Sequence, residues 1–332
     1  MGLKDNVTKE YMKDDGRFAD LFNYFMYDGN SVIKPESLEE RDTTEIINLI
    51  GEDNKLFSKQ EFRDLLKQSV VKYDDKAYYL LLGIENQSEI HYAMPVKNCI
   101  YDALNYGTQA AKIAKQHRVN KDTKGAEFLS GFTKEDKLVP VITLVILWNS
   151  GIWDGPRSLH EMMCIQDETI LKFVPDYKLN LVVPGEIEDF EKFKTERNLV
   201  LELISAKDSY KKIETLMDEK RDRYSNVDME STRVLEVCTG VRFTDKTEEG
   251  GINVCKGIDD LKRMASAEGK IKGSTLKTIE LVCKKLKKGM SALDIADVLE
   301  EELSVIEKIV SVAKDFAPEY DVDAIFEKLM AK

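Results

Sequence analysis

The stretch that decides the fold is EFRDLLKQSVVKYDDKAYYLLLGIENQ, residues 61–87. Two runs rich in Val, Tyr and Leu flank a short polar segment at residues 74–76, and this pattern is typical of a β-hairpin. With the turn centred between positions 74 and 75, the numbers of opposed residues add to about 149 in an antiparallel pair. The sequence therefore predicts that Asp64 lies opposite Glu85.

The end of this hairpin carries the polar residues of interest. Period-two alternation along a strand places Glu85 and Gln87 on one face and Asn86 on the other. Like charges directly opposite each other destabilise a sheet, so the Asp64–Glu85 pair needs a compensating charge. A divalent cation is the simplest candidate, because Mg²⁺ is commonly held by one or two carboxylates together with substrate phosphate.

Asp64, a hairpin and then Glu85-Asn86-Gln87 resemble the D…(D/E)-x-K core of the PD-(D/E)XK nuclease superfamily. The narrower resemblance is to the Rpn-type recombination-promoting nucleases, also called PD-(D/E)XK family transposases, in which the last position is often Gln. The blocks that resemble this family are FADLFNYFMYDG (18–29), GIENQSEIHYAMPVKNCIYDA (83–103), PVITLVILWNSGIWDGPRSLHEMM (140–163) and FVPDYKLNLVVP (173–184). Two residues depart from the superfamily pattern: Arg63 replaces Pro, and Gln87 replaces the more frequent Lys.

The resemblance implies an α/β fold with a PD-(D/E)XK restriction-endonuclease-like core, in the order αβββαβ, with a mixed sheet flanked by helices. It also implies DNA cleavage that depends on Mg²⁺, with Mn²⁺ as a substitute, linked to recombination, mobile elements or phage defence. Asp64 and Glu85 would be the metal ligands and, with Gln87, the catalytic residues. Asp20 would be the acid that the superfamily carries on its first helix. Gln87 can orient water by hydrogen bonding but supplies no positive charge.

Candidate DNA contacts lie on the long helix expected after Pro95. The resembling family tends to carry a basic residue at the position of Lys97, which would contact phosphate or remain a solvated surface lysine. Further along, basic residues recur every three positions: Lys112, Lys115, Arg118, Lys121 and Lys124. Such a run is either a solvated helix end, favoured by the helix dipole, or a strip that follows a phosphate backbone. The net charge of −12 is the main objection to DNA binding.

Composition limits the class of protein. Hydrophobic residues make up 42% and charged residues 33% of the 332 positions, values typical of a soluble globular protein. The first 15 residues lack the apolar segment of a secretory signal, and the longest apolar run is only strand-sized, so we expect no membrane association. Five scattered cysteines without metal-binding spacing indicate reduced thiols and a cytoplasmic location.

The chain divides into three predicted regions: a nuclease-like domain at 1–200, a helical extension at 201–263 and a C-terminal helical segment at 264–332. We expect a helix over 17–27 that stops at Asp28-Gly29, a strand over 43–50, a loop over 123–137 and a helix within 225–243 that closes on Gly240. We expect residues 1–16 to be frayed, residues 264–273 to form a linker and Trp148 to lie in the core or at its rim. Ser291 with Asp294, and Ser304 with Glu307, are N-terminal cap signatures of two short amphipathic helices. The last segment resembles a minimal helix-turn-helix, but its acidic turn favours packing or self-association into a homo-oligomer over DNA reading.

Two alternatives to a nuclease stay open: a catalytically inactive DNA-binding or protein-interaction descendant of the fold, and a structural scaffold.

Overall fold

A computed structural model describes residues 2–41, 64–73 and 76–330 of the chain. Its contacts divide the chain into two compact units, Met1–Leu261 and Lys262–Lys332. A strand predicted over residues 43–50 and the hairpin turn at residues 74–75 lie outside the described residues.

A five-stranded mixed sheet organises the first unit. Its strands, which have the same order in space as in the chain, are β1 (Glu39–Glu40), β2 (Leu65–Tyr73), β3 (Lys76–Gln87), β4 (Val141–Leu147) and β5 (Asn180–Val182). β2 runs antiparallel to both β1 and β3, whereas β4 and β5 run parallel to β3. The predicted α/β class is confirmed.

One long helix, α3 (Met94–Asn120), covers one face of this sheet. Pro95 is tolerated in its first turn, where a missing backbone N–H removes no helical hydrogen bond. The Tyr106 hydroxyl accepts a hydrogen bond from the backbone N–H of Val141 (3.0 Å), which ties α3 to β4. β4 is apolar along nearly its whole length because it is buried on both faces, as its sequence predicts.

Two N-terminal helices, α1 (Leu3–Tyr11) and α2 (Asp15–Tyr27), lie on the opposite face. The expectation that residues 1–16 are frayed is wrong, because Tyr11 and Met12 are buried. The Tyr11 ring stands edge-on to the ring of Trp148, with 6.1 Å between centroids, and this contact docks α1. α2 ends where predicted, at Asp28, which adopts a left-handed conformation (φ 54°).

The remaining elements of the first unit are mostly helical. They are α4 (Gly125–Ser130), α5 (Glu168–Leu171), α6 (Arg197–Ala206), α7 (Tyr210–Tyr224), α8 (Met229–Thr239) and the two-stranded pair β6 (Asp245–Lys246) and β7 (Ile252–Asn253). α4 is a short helix inside a stretch that the sequence predicts to be a loop. α8 ends at the predicted position, since Gly240 has the positive φ (75°) that closes a helix.

The second unit is built from helices with a core of their own. The elements are α9 (Cys255–Leu286), which contains the boundary between the units, α10 (Ala292–Leu299), α11 (Leu303–Ala313) and α12 (Val322–Met330). The stretch 264–273, which we expect to be a linker, belongs to α9 and is helical. The core residues include Ile279, Val282, Ile295, Ile306, Ile309 and Ile325.

The helix caps of the second unit are only partly those that the sequence predicts. The Ser291 hydroxyl accepts from the backbone N–H of Asp294 (3.2 Å) at the start of α10, as predicted. The same prediction for Ser304 is wrong, because α11 already begins at Leu303. Within the described part of the chain, no helix is both long and apolar enough to cross a membrane.

Candidate metal and DNA site

The register of β2 and β3 brings Asp64 to the end of β3. The two strands pair from Leu65 opposite Ile84 to Tyr73 opposite Lys76, which is the register predicted from the sequence. Asp64 directly precedes the first pair, and its Oδ2 accepts a hydrogen bond from the backbone N–H of Asn86 (2.8 Å). The two sequence segments that resemble the nuclease motif are therefore in contact.

Each of the two acids has a lysine beside it. The Lys97 Nζ, one turn into α3, donates to Oε2 of Glu85 at 3.0 Å. The Lys9 Nζ, on α1, lies 3.8 Å from Oδ1 of Asp64. We expect a charge that compensates the two acids, and two lysines supply it. They lie on α1 and α3, which pack on opposite faces of the sheet.

The Glu85 carboxylate is almost fully buried, with 1% of its side chain exposed. A buried carboxylate is strongly destabilising unless it is paired. Removing Lys97 should therefore lower the free energy of unfolding. Lys97 itself is 19% exposed and lies 5.8 Å from the centroid of the Tyr101 ring. Its ammonium group therefore reaches both Glu85 and the protein surface, as a group that contacts a phosphate must.

Asn86 points to the other face of β3, as alternation predicts. Its Oδ1 accepts from the indole Nε1–H of Trp148 (2.8 Å), and its Nδ2 lies 3.5 Å from Oδ2 of Asp64. Trp148 is fully buried, which agrees with its expected role in the core. Its backbone N–H also donates to the carbonyl oxygen of Gln87 (2.8 Å). Asn86 and Trp148 thus fix the backbone on which Glu85 and Gln87 are carried.

Helix α1 is the part of the site that sequence reasoning missed. Beyond Lys9, it contributes Asp5, whose Oδ1 accepts a hydrogen bond from the hydroxyl of Ser88, directly after β3. This hydrogen bond lowers the pKa of Asp5, despite the opposing effect of its partial burial. Burial raises the pKa of Tyr11 to about 12, so its hydroxyl is neutral where it meets Ser231 (3.1 Å). The signal in the sequence was the triad Thr8, Tyr11 and Met12, which a helix places on one side.

Asp20 is engaged elsewhere. It is buried, and its Oδ1 accepts from the backbone N–H of Lys194 (2.8 Å). Its Oδ2 accepts from the backbone N–H (3.0 Å) and the hydroxyl (2.6 Å) of Thr195. Both oxygens thus hold the chain segment that leads into α6. These contacts explain the burial of Asp20 without a metal, and the structure records none between it and Asp64 or Glu85 among the described residues.

The basic residues of α3 extend away from Glu85. Lys115 and Arg118 are exposed, and exposed Lys112 borders a cavity of about 300 Å³ that Arg41 and Gln68 also line. At 1.5 Å per residue, Lys112 lies roughly 22 Å along the helix axis from Lys97. The structure therefore separates the predicted phosphate contacts into Lys97 at the carboxylates and a distant group near the end of α3.

The ligand chemistry of the site suits a hard cation, since Asp64 and Glu85 supply carboxylate oxygens and Gln87 an amide oxygen. Within residues 2–41, 64–73 and 76–330, no group of three or more His, Cys, Asp and Glu side chains is arranged to hold a metal ion. In this part of the chain, no third carboxylate or imidazole joins Asp64 and Glu85 to form such a group. Comparisons of the chain with protein-family models, with curated proteins and with solved structures found no match.

Proposed function

We propose that the chain is a DNA endonuclease of the PD-(D/E)XK type that hydrolyses phosphodiester bonds with Mg²⁺. The observation that carries the proposal is the meeting of Asp64 with Glu85-Asn86-Gln87 through the β2–β3 register. The order of elements supports it, because a helix, three antiparallel strands, a long helix and a parallel strand follow one another. This order is the one that the resemblance to the Rpn-type nucleases implies.

In this proposal Asp64 and Glu85 hold the cation. When bound, a divalent cation neutralises charge on the phosphate and stabilises the leaving oxygen. Lys97 pairs with Glu85 and is close enough to the surface to bind the phosphate beside it. Gln87, at the half-buried end of β3, orients the attacking water through its side-chain amide. Lys9 supplies a positive charge next to Asp64, which Gln87 cannot supply.

A second function is favoured by the same two lysines. Lys9 and Lys97 already compensate the charges of Asp64 and Glu85, and a protein that no longer binds a cation would keep such pairs. The alternative is therefore a catalytically inactive descendant that retains DNA binding or a protein partner. Metal dependence separates the two functions.

The decisive measurement is cleavage of supercoiled plasmid in Mg²⁺, in Mn²⁺ and in chelator. We expect wild type to cut only with metal, and Asp64→Asn and Glu85→Gln each to reduce the rate by roughly 10²-fold or more, the range for loss of one positioned catalytic group. Glu39→Gln is the matched control, since this acid lies on the same sheet but is 68% exposed. Circular dichroism establishes that the variants are folded.

Undiminished cleavage by both site variants would refute the assignment of these two residues. Absence of cleavage by wild type in either metal, with DNA binding retained, would establish the inactive descendant instead. A chain that neither cuts nor binds DNA would leave the interaction scaffold as the remaining class.

A further inference from the structure

Two large apolar side chains project from α4. Phe128 is 60% exposed and Leu129 is 85% exposed, and nearby Val119, at the end of α3, is 73% exposed. Single exposed hydrophobic residues are ordinary, whereas adjacent ones form a contiguous apolar patch, the kind of surface that interaction sites use. We refer to Phe128 and Leu129 as the apolar tip.

The apolar tip is presented by a fixed scaffold. Gly131 ends α4 with a positive φ (68°), and a Cβ at this position would come within 2.5 Å of the Cβ of Ala114. The end of α4 thus rests directly on α3. The side chain of Gln109 also binds the backbone of Val139 through two hydrogen bonds (2.7 and 3.1 Å), which closes the segment that contains α4.

A histidine strengthens this scaffold. His117 of α3 lies between two carboxylates, with Nδ1 2.7 Å from Asp122 and Nε2 2.9 Å from Asp136. The two acids flank α4 in sequence, so the ring joins both ends of the segment to α3. Their charges are also partly offset by the histidine.

The surroundings of the apolar tip are basic. Arg118, Lys121 and Lys124 are exposed, and Arg118 lies one helical turn beyond Ala114, on the side of α3 that α4 contacts. Residues 112–137 contain seven Lys and Arg against four Asp and Glu, in a chain whose net charge is −12. This reversal of charge next to exposed apolar groups points to a partner that is both anionic and apolar.

We propose that the apolar tip inserts between the bases of bound DNA while Arg118, Lys121 and Lys124 hold the adjacent phosphates. Phe and Leu are among the side chains that open base steps in this way, and basic residues anchor the backbone beside them. A protein partner fits less well, because the core of a protein–protein interface is depleted of charged residues, whereas Arg118, Lys121 and Lys124 lie close to the apolar tip in the chain. The inference rests on the proposed function in that it takes DNA as the partner.

The experiment uses the full chain and duplex DNA that contains 2-aminopurine, whose fluorescence rises when the base is unstacked. Chelator is present, so that binding is measured without cleavage. We expect wild type to raise the fluorescence, and Phe128→Ser with Leu129→Ser to abolish the rise and to weaken binding roughly 5- to 100-fold, the range for loss of one stacking contact. Phe128→Trp should retain both signals.

A matched control is Phe173→Ser. Phe173 is 79% exposed and has Lys172 beside it, with 5.0 Å from Nζ to the ring centroid, but it lies far along the chain from α4. This variant should behave like wild type. In Lys121→Ala with Lys124→Ala, binding should weaken and lose part of its salt dependence, while the fluorescence at saturation is unchanged.

Wild-type binding without any rise in fluorescence would overturn the insertion and leave the nuclease proposal intact. So would equal binding by the Phe128→Ser, Leu129→Ser variant and wild type. Absence of DNA binding in chelator would overturn the insertion, and together with absence of plasmid cleavage in Mg²⁺ and Mn²⁺ it would overturn both proposals. If the tip variant instead changes the oligomeric state or binding to anionic lipid vesicles, a second copy or a membrane surface takes the place of DNA.

Discussion

At the scale of single residues, Glu85 and Lys97 form an ion pair that joins two elements. The Lys97 Nζ lies 3.0 Å from the buried carboxylate of Glu85, and Lys97 belongs to α3, ten positions beyond the end of β3. The nuclease resemblance predicted a basic residue near the motif and left open whether Lys97 is solvated. The structure places it in an ion pair, so the free energy of unfolding should report on this pair even in the absence of cleavage.

We expect Lys97→Met to lower the free energy of unfolding by about 1–3 kcal/mol, the cost of removing one partner from a buried polar group. Adding Glu85→Gln should recover much of this loss, because the double variant no longer buries the charge. Denaturant unfolding of wild type, both single variants and the double variant gives the coupling energy. Strictly additive effects would show that the pair contributes nothing.

The same variants test the metal. If Asp64 and Glu85 bind a cation, Mn²⁺ should raise the melting temperature of Lys97→Met, since a ligand of the folded state stabilises by mass action. The double variant, which lacks the Glu85 charge, should gain less.

The residues of the site were predictable in part. Period-two alternation and a symmetric turn suffice to place Asp64 beside Glu85 and to put Asn86 on the other face. Lys9 was not predictable, because the side of α1 that carries Thr8, Tyr11 and Met12 indicates that the helix packs against the protein but not that it packs against β3. For Asp20 the difficulty is different. The sequence of a helix does not show whether an acid on it binds a metal or accepts hydrogen bonds from a backbone segment, as Asp20 does from Thr195.

At the scale of elements, the segment around α4 has a feature that makes its stability depend on pH. A neutral imidazole has one donor and one acceptor, so it cannot donate to both Asp122 and Asp136. Only the doubly protonated ring satisfies both carboxylates. Hydrogen bonds from His117 to Asp122 and then Asp136 accordingly raise its pKa. The pKa of Asp122 is lowered chiefly by His117, and that of Asp136 is lowered first by the backbone N–H of Thr133 and then by His117.

Because the folded-state pKa of His117 lies above its unfolded value, its contribution to stability is complete at low pH and is lost as the pH rises through the folded-state pKa. We expect the difference in melting temperature between wild type and His117→Gln to be larger at pH 6 than at pH 8.5. Taking this difference removes the effects of the other titrating groups. An equal difference at both values would show that the charged ring is not what joins Asp122 and Asp136.

Elements were predictable where the pattern was strong and local. The apolar run of β4 and the Gly240 stop of α8 are such cases. The stretch 264–273 was misread as a linker because its two glycines and charges are typical of loops, although a helix tolerates each glycine at a cost of roughly 1 kcal/mol. α12 went unpredicted, yet Val322, Ile325, Phe326 and Leu329 have the spacing of an amphipathic helix.

At the scale of the whole molecule, the net charge of −12 conceals a local difference in charge. The acids are spread over the chain, whereas residues 112–137 carry an excess of cations next to the apolar tip. Average composition hides such a region, and only its position on α3 and α4 shows that the charges lie together. The acidic turn of the second unit, with Glu301 and Glu302 exposed, gives no comparable surface for DNA.

The second unit has its own buried core, so its unfolding should be separable from that of the first. Ile306 is fully buried in that core, and Ile306→Asn removes apolar contacts and buries an amide, at a cost of about 3 kcal/mol or more. That is a large share of the stability of a small helical unit. Val305→Asn, at a 41% exposed position on the same helix, is the control and should have little effect.

The two tryptophans make the measurement specific, because Trp148 and Trp153 both belong to the first unit. Thermal unfolding followed by tryptophan fluorescence reports that unit alone, whereas far-ultraviolet circular dichroism reports the helices of both. We expect Ile306→Asn to add an early transition in circular dichroism while the fluorescence transition and the rate of plasmid cleavage stay at wild-type values. If the fluorescence midpoint falls together with the circular dichroism midpoint, the two units unfold as one cooperative body. The helices from α10 onward would then be part of what stabilises the sheet that carries Asp64 and Glu85.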